Sequence, residues 1–183
     1  MDQNTALIVI DVQNGFDEPS WGRRNNSGAE AVIARLLAAW RADERPIIHV
    51  QHLSKNPASP LRPGQPGVDI KAEVAPRRGE HVITKHVNSA FIGTDLEDRL
   101  RRAGIKTLVL TGLCTDHCVS TTTRMAANLG FSAIVPADAT ATFDRTGFEG
   151  RVYAAEVIHR TALASLHGEF AEVVGSASLL STT

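Results

Sequence analysis

The five residues ALIVI, Ala6–Ile10, restrict the fold more than any other stretch of the chain. A continuous apolar run rich in β-branched side chains has no polar face to turn toward water. Such a strand must be covered on both sides, as in a parallel sheet with helices above and below. Ile47–Val50, His81–Lys85, Ile105–Leu110, Phe131–Val135 and Phe170–Val174 read as further strands. Helical patterns fall between them. In Ala29–Ala42, the residues Val32, Ile33, Leu36, Leu37 and Trp40 share one stripe. Thr94 and Glu97 have the spacing of a capping box, which predicts a helix to Arg102 with Gly104 just beyond it. Thr115–Leu129 reads as a helix stopped by Gly130, and Gly150–Leu166 holds another. Strand–helix alternation without an internal repeat predicts a parallel, three-layer α/β sandwich.

A length of 183 residues suits one domain spanning 1–183. The Pro-rich stretch Lys55–Gly67 reads as a loop, because too little chain precedes it to complete a separate core. Basic and acidic side chains nearly balance, 19 against 20, which gives no electrostatic reason to bind nucleic acid or an anionic membrane. No run approaches the ~20 apolar residues of a spanning helix. The opening MDQNTALIVIDVQ has no basic n-region and does not read as a signal peptide. Two cysteines are not a disulfide framework, so free thiols and a cytoplasmic location are expected.

Ligands of open α/β sheets collect beyond the carboxyl ends of the strands. Asp11 follows the first strand, Lys85 ends His81–Lys85, and Cys114 and Cys118 follow Ile105–Leu110. Three separate segments thus bring an acid, an amine and a thiol to one edge. Cys-x3-Cys is not a zinc spacing, and His49 and His52, three apart on a strand, face opposite sides. No metal is expected. Taken alone, both thiols also fit as small buried hydrophobes. Position distinguishes Cys118. In the first turn of a helix from Thr115, free N–H groups and the helix dipole favour a thiolate and offer donors to an oxyanion. Cys114 precedes the helix, and only its backbone N–H is placed to help. His117 is adjacent to Cys118, and neighbours on a helix point about 100° apart, so it is poorly placed as the base. Asp11 is the better proton acceptor, with Lys85 steadying negative charge. No Gly-x-Gly-x-x-Gly follows a predicted strand, which argues against a dinucleotide.

The segments LIVIDVQNGF (Leu7–Phe16), ITKHVNSAF (Ile83–Phe91) and TGLCTDHCVSTTTRMAANLG (Thr111–Gly130), with ADATATFD (Ala137–Asp144) as a weaker fourth, resemble the isochorismatase-like cysteine hydrolases. The resemblance covers nearly the whole chain. It implies a Rossmann-like α/β/α sandwich around a six-stranded parallel sheet. It also implies a catalytic triad of Asp11, Lys85 and Cys118, with an oxyanion hole of the Cys114 and Cys118 N–H groups and a cis peptide between Leu113 and Cys114. TDHCV is close to the nicotinamidase pattern. However, the strand end IHVQHLS lacks the carboxylate those enzymes use to hold a metal, which argues against nicotinamide and against a metal. Some isochorismatases that cleave vinyl ethers lack the cysteine. Its presence here favours amide, carbamoyl, ureido or lactam chemistry through a Cys acyl-enzyme, without a cofactor. Vinyl-ether hydrolysis, a nicotinamidase activity and a non-catalytic scaffold are the competing readings. Phe16, Trp21, Asn88, Phe91 and His117 are the candidate substrate contacts. The partner expected is a small-molecule amide, and the assembly expected from the resemblance is a homodimer or homotetramer.

Overall fold

In the computed structural model, which describes residues 3–180, the apolar run forms β1 (Thr5–Ile10), buried at every residue. After it come β2 (Ile47–His52), β3 (His81–Lys85), β4 (Thr107–Leu113), β5 (Ser132–Pro136) and the two-residue β6 (Thr140–Ala141). A small antiparallel pair, β7 (Arg145–Thr146) and β8 (Val152–Tyr153), precedes β9 (Glu172–Val174). The sheet order is β3-β2-β1-β4-β5-β9, all parallel, with β6 paired to the end of β4. The expected parallel sandwich is therefore observed, with β6 as an addition.

The helices are α1 (Ala29–Ala42), α2 (Leu96–Arg102), α3 (Ser120–Asn128), α4 (Ala155–Leu166) and α5 (Ala177–Leu180). Strand alternation sorts them into layers. Ile8, Ile10, Ile48, Val50, Ile83, Leu108 and Leu110 face Leu96 and Leu100 of α2, Ala126 of α3 and Leu163 of α4. Leu7, Val9, Ile47 and Val109 face the stripe of α1 and Leu179 of α5. Burying each large side chain of that stripe is worth about 1.5–3 kcal/mol, so tertiary packing, more than propensity, holds α1 in place. Among the described residues no helix is long and apolar enough to cross a membrane.

Several elements differ from the sequence expectation, and each has a local cause. The capping box does not form. Thr94 Oγ1 accepts the Leu96 N–H at 3.3 Å and donates to the Ala90 carbonyl at 2.6 Å, but α2 starts after Asp95, whose own side chain makes no cap bond. Helix α4 lies within the expected Gly150–Leu166, beginning at Ala155, where the Asp144 carboxylate accepts its N–H at 2.7 Å; β8 precedes it. Strand β4 runs on to Leu113, and Gly112 makes this possible. Gly112 has φ +117°, and a Cβ there would lie 1.9 Å from the Ile10 carbonyl oxygen, so only glycine lets β4 and β1 approach at this edge. The Pro-rich loop is pinned to the segment after β1. Leu61 is buried against Phe16, and a Cβ on Gly67 would lie 2.1 Å from the Pro60 carbonyl.

Candidate active site

The rows of the sheet continue into the site. Ile48 and Val50 are followed on the same face by His52, and Ile83 by Lys85; His52 and Lys85 are register partners across β2 and β3. Both therefore extend beyond the core that carries Cys118. Asp11 leaves β1 at φ +53°, a left-handed conformation that Asp tolerates better than most residues, and this turns the chain out of the sheet. Asp11 and Lys85 are buried, both side chains having no solvent exposure.

Lys85 joins the groups. Its Nζ donates to Asp11 Oδ2 at 2.6 Å, to His52 Nδ1 at 3.0 Å, to the Val87 carbonyl at 3.1 Å and to Cys118 Sγ at 3.4 Å. An ammonium has three protons, so the acceptors outnumber the donors and the long contact to sulfur is the weakest held. Asp11 Oδ1 is buried without a hydrogen-bond partner. One oxygen of Asp11, one ring nitrogen of His52 and the sulfur of Cys118 lie within 4.8 Å of one another.

Burial pushes the Asp11 carboxyl above its ordinary 3.8, and the adjacent Lys85 charge pulls it only part of the way back. Burial also raises the Cys118 thiol, helped by the negative charge of Asp11 and opposed by Lys85. Desolvation of the buried sulfur thus acts against the thiolate that a helix start favours. Cys114, more deeply buried, is pushed up to about 12. Both cysteines are free.

The local backbone departs from an α-helix. Thr115–Val119 is a π-turn, and α3 begins only at Ser120. The Cys114 carbonyl accepts from the N–H groups of His117 and Val119, each at 3.1 Å, bypassing the N–H of Cys118 between them. The Leu113–Cys114 peptide is cis. His117 is exposed and lies 3.4 Å from Asp116. Asp116 in turn accepts from Arg145 at 2.9 Å and from Thr142.

The remaining candidates separate. Asn88 is exposed, with its Oδ1 3.9 Å from Cys118 Sγ. Phe16 and Trp21 stack with Phe143 in a cluster that includes Leu113 and Cys114. Phe91 stacks on Phe131 at 6.1 Å within the main core that also holds Cys118.

The sequence reading misses His52 and Gln13. Burial, and then the charge of Lys85, lower His52 to about 4, so the imidazole is neutral near pH 7 and its Nδ1 accepts. Gln13 is fully buried and clamps the β2 end. Its amide donates to the His52 and Val68 carbonyls at 2.9 and 2.8 Å, and its Oε1 accepts the His52 N–H at 2.8 Å. The rule that points to Asp11 and Lys85 also points to His52, which stands at the carboxyl end of its strand. His49 lies on the other face, hydrogen-bonded to Glu80 at 2.9 Å, so the two histidines do not converge.

Residues 5–178 match the isochorismatase domain family. The uncharacterized isochorismatase family protein YrdC of Bacillus subtilis is 46% identical over 98% of this chain and 96% of its own length. A streptothricin hydrolase of Streptomyces noursei is 35% identical over 76% of this chain and 50% of its own. The ureidoacrylate amidohydrolase RutB of Variovorax paradoxus is 30% identical over 75% of this chain and 68% of its own. A solved isochorismatase-family structure from Chromobacterium violaceum superposes with a TM-score of 0.94 at 49% identity, covering 98% of this chain and 93% of that one. A cysteine hydrolase from Pseudomonas syringae superposes with a TM-score of 0.89 at 26% identity, covering 98% and 92%.

Proposed function

The chain belongs to the isochorismatase family of hydrolases, and on that premise we propose that it cleaves a C–N amide bond of a small carboxamide, carbamoyl, ureido or lactam-type compound, with Cys118 as nucleophile. The observation that carries this reading is the Lys85 ammonium, bonded at once to Asp11 at 2.6 Å and to Cys118 at 3.4 Å at the carboxyl edge of the sheet. The name of one relative, a ureidoacrylate amidohydrolase, supports the bond type, and a second relative is a streptothricin hydrolase.

Cys118 rests as a thiol, so its proton must leave as the sulfur attacks. Asp11 is the acceptor. Its free Oδ1 is desolvated, and its raised pKa brings it closer to that of a neutral-pH base. The S–C bond forms and the carbonyl π pair moves to oxygen. The N–H groups of Cys118 and Cys114 receive that oxyanion at the π-turn. Collapse breaks the C–N bond, and the proton held by Asp11 goes to the departing nitrogen. Water then attacks the thioester, giving a proton to Asp11. The C–S bond breaks, the acid leaves and the thiol is restored. Lys85 keeps its charge throughout and steadies the sulfur whenever it is anionic. Phe16 and Trp21 provide an aromatic wall, and Asn88 an amide at the mouth, for the rest of the substrate.

The test is ammonia or amine release from a panel of carboxamide, carbamoyl and ureido compounds, nicotinamide included, with and without a chelator. Wild type should release product regardless of chelator. Cys118→Ser should lose nearly all turnover, and Cys114→Ala should retain most of it. Full activity in Cys118→Ala would assign the chemistry to Asp11 and Lys85 alone, as in vinyl-ether cleavage, and overturn the reading.

A further inference from the structure

A cavity of about 860 Å³ opens at the opposite edge of the sheet, where β2 and β3 begin. That volume is in the range of small-molecule sites. Six arginines line it, namely Arg41, Arg45, Arg77, Arg78, Arg99 and Arg102, against two carboxylates, Glu44 and Glu80. The whole chain carries a net charge of about -1, so this concentration of positive charge is local.

The charges are only partly neutralised from within. Glu80 is spent on Arg41, which binds both its oxygens at 2.7 and 2.9 Å, and on His49. Arg99 pairs with Asp95 at 2.8 Å. Arg45 pairs with Asp43 at 2.8 Å and lies 3.7 Å over the Trp40 ring, yet its Nε and Nη1 are buried and unpartnered, the residue being 6% exposed. Among the described residues, Arg77, Arg78 and Arg102 make no close ion pair, Arg102 reaching Asp95 only by its longer-range charge. Positions in the last turns of α1 and α2 explain Arg41, Arg99 and Arg102 as complements to helix dipoles. They do not explain Arg77 and Arg78, which stand on the turn before β3. The floor between these arginines is apolar, with Ile47 and Ile105.

We propose that this cavity binds an organic polyphosphate of the nucleoside diphosphate class, its phosphates held by Arg77, Arg78 and Arg102 and its ring set over the apolar floor. Guanidinium groups match phosphate oxygens in pairs, and several around one pocket favour an anion of multiple charge. The apolar floor gives the ring a place that inorganic pyrophosphate cannot fill.

The experiment is calorimetric titration of the full chain with ADP, inorganic pyrophosphate and adenosine, at 50 and 200 mM salt. ADP should bind with a stoichiometry of one per chain and more tightly than pyrophosphate, adenosine should be weakest, and ADP binding should weaken in the higher salt. The triple variant Arg77→Glu/Arg78→Glu/Arg102→Glu should bind ADP at least tenfold more weakly. These side chains are exposed and make no close ion pair, so its urea midpoint should match wild type, and the single Arg78→Glu should bind ADP with intermediate affinity. Arg35→Glu/Lys55→Glu/Arg160→Glu, an equal charge change elsewhere, should bind as wild type. Absence of binding at millimolar ADP would overturn the proposal, as would equal weakening in the control. So would a change of oligomeric mass in the triple variant, which would make the cleft a contact between copies.

Discussion

Replacing Lys85 by Met tests the electrostatics of the site apart from its chemistry. The substitution keeps the unbranched stem and removes the charge. Asp11, with no solvent exposure, then loses the ammonium bonded to its Oδ2. Breaking a buried ion pair by removing one partner typically costs about 3–5 kcal/mol. The cost must depend on pH, because the stranded carboxyl can escape it by taking a proton. In wild type the folded-state pKa of Asp11 is already raised above 3.8. A raised carboxyl makes its full contribution to stability below the unfolded pKa and loses it as pH climbs through the folded one. Lys85→Met raises the folded value further and widens that window. The destabilisation should therefore grow with pH from the acid side, by up to about 1.4 kcal/mol per unit, and level off where Asp11 finally ionises. Urea unfolding at pH 5, 6, 7 and 8, fitted for midpoint and slope, measures it. Asp11→Asn added to Lys85→Met should restore much of the loss at pH 8 and little at pH 5. A penalty under about 1 kcal/mol and flat with pH would refute the reasoning, since the pair would then be solvated and of small worth.

Asp11→Asn should make Cys118 react faster with iodoacetamide at pH 8 while abolishing turnover, because it removes the negative charge that raises the thiol and leaves Lys85 beside the sulfur; slower alkylation would mean that Asp11 creates a standing thiolate. His52→Ala should lower kcat by roughly 10- to 100-fold with little change in KM, the size of a hydrogen bond to a charged group, and His52→Asn should recover part of it through its amide oxygen. Gly112→Ala should destabilise the fold by roughly 2–6 kcal/mol, combining a left-handed strain with overpacking against a backbone that cannot yield; a urea midpoint near wild type would show that β4 can part from β1.

Asp11 and Lys85 are legible in the sequence because strand ends are readable from apolar runs, and a parallel sheet sends all its carboxyl ends to one edge. His52 is equally well placed by that rule but escapes notice when weighed only as half of a His49–His52 pair. Its partner is Lys85, 33 residues away, and nothing in the composition of β2 signals that contact. The π-turn at Thr115–Val119 is not legible either. It depends on where the Cys114 carbonyl points, and TDHCVSTTTR is equally compatible with an α-helix. The state of the thiol is hard to read for a different reason. Position along a helix can be read from sequence, but desolvation depends on what packs around the sulfur, and Cys118 lies in the main core. Thr94 shows the same limit at smaller scale, because its hydroxyl accepts the Leu96 N–H of the helix while giving its own proton to the Ala90 carbonyl, a contact that sequence spacing does not signal.

Asp11, His52 and Cys118 offer a carboxylate, an imidazole and a thiol within 4.8 Å of one another, a donor set suited to a divalent cation. The space they share is filled by the Lys85 ammonium, bonded to all three. The two kinds of cation act differently on a nucleophile. A metal would bind the thiolate as a ligand and hold it, whereas an ammonium places its shortest contacts on Asp11 and His52 and its longest on sulfur. The sulfur is thereby stabilised when charged and remains free to move toward a carbonyl. Arginine would not substitute for lysine here, since its donors lie in a plane and cannot radiate from one point to Asp11, His52 and the Val87 carbonyl. The neutral state of His52 completes the arrangement. A protonated imidazole would place a second cation about 3 Å from the first and turn an acceptor into a donor, so the arrangement that serves the thiol also requires His52 to stay uncharged at working pH.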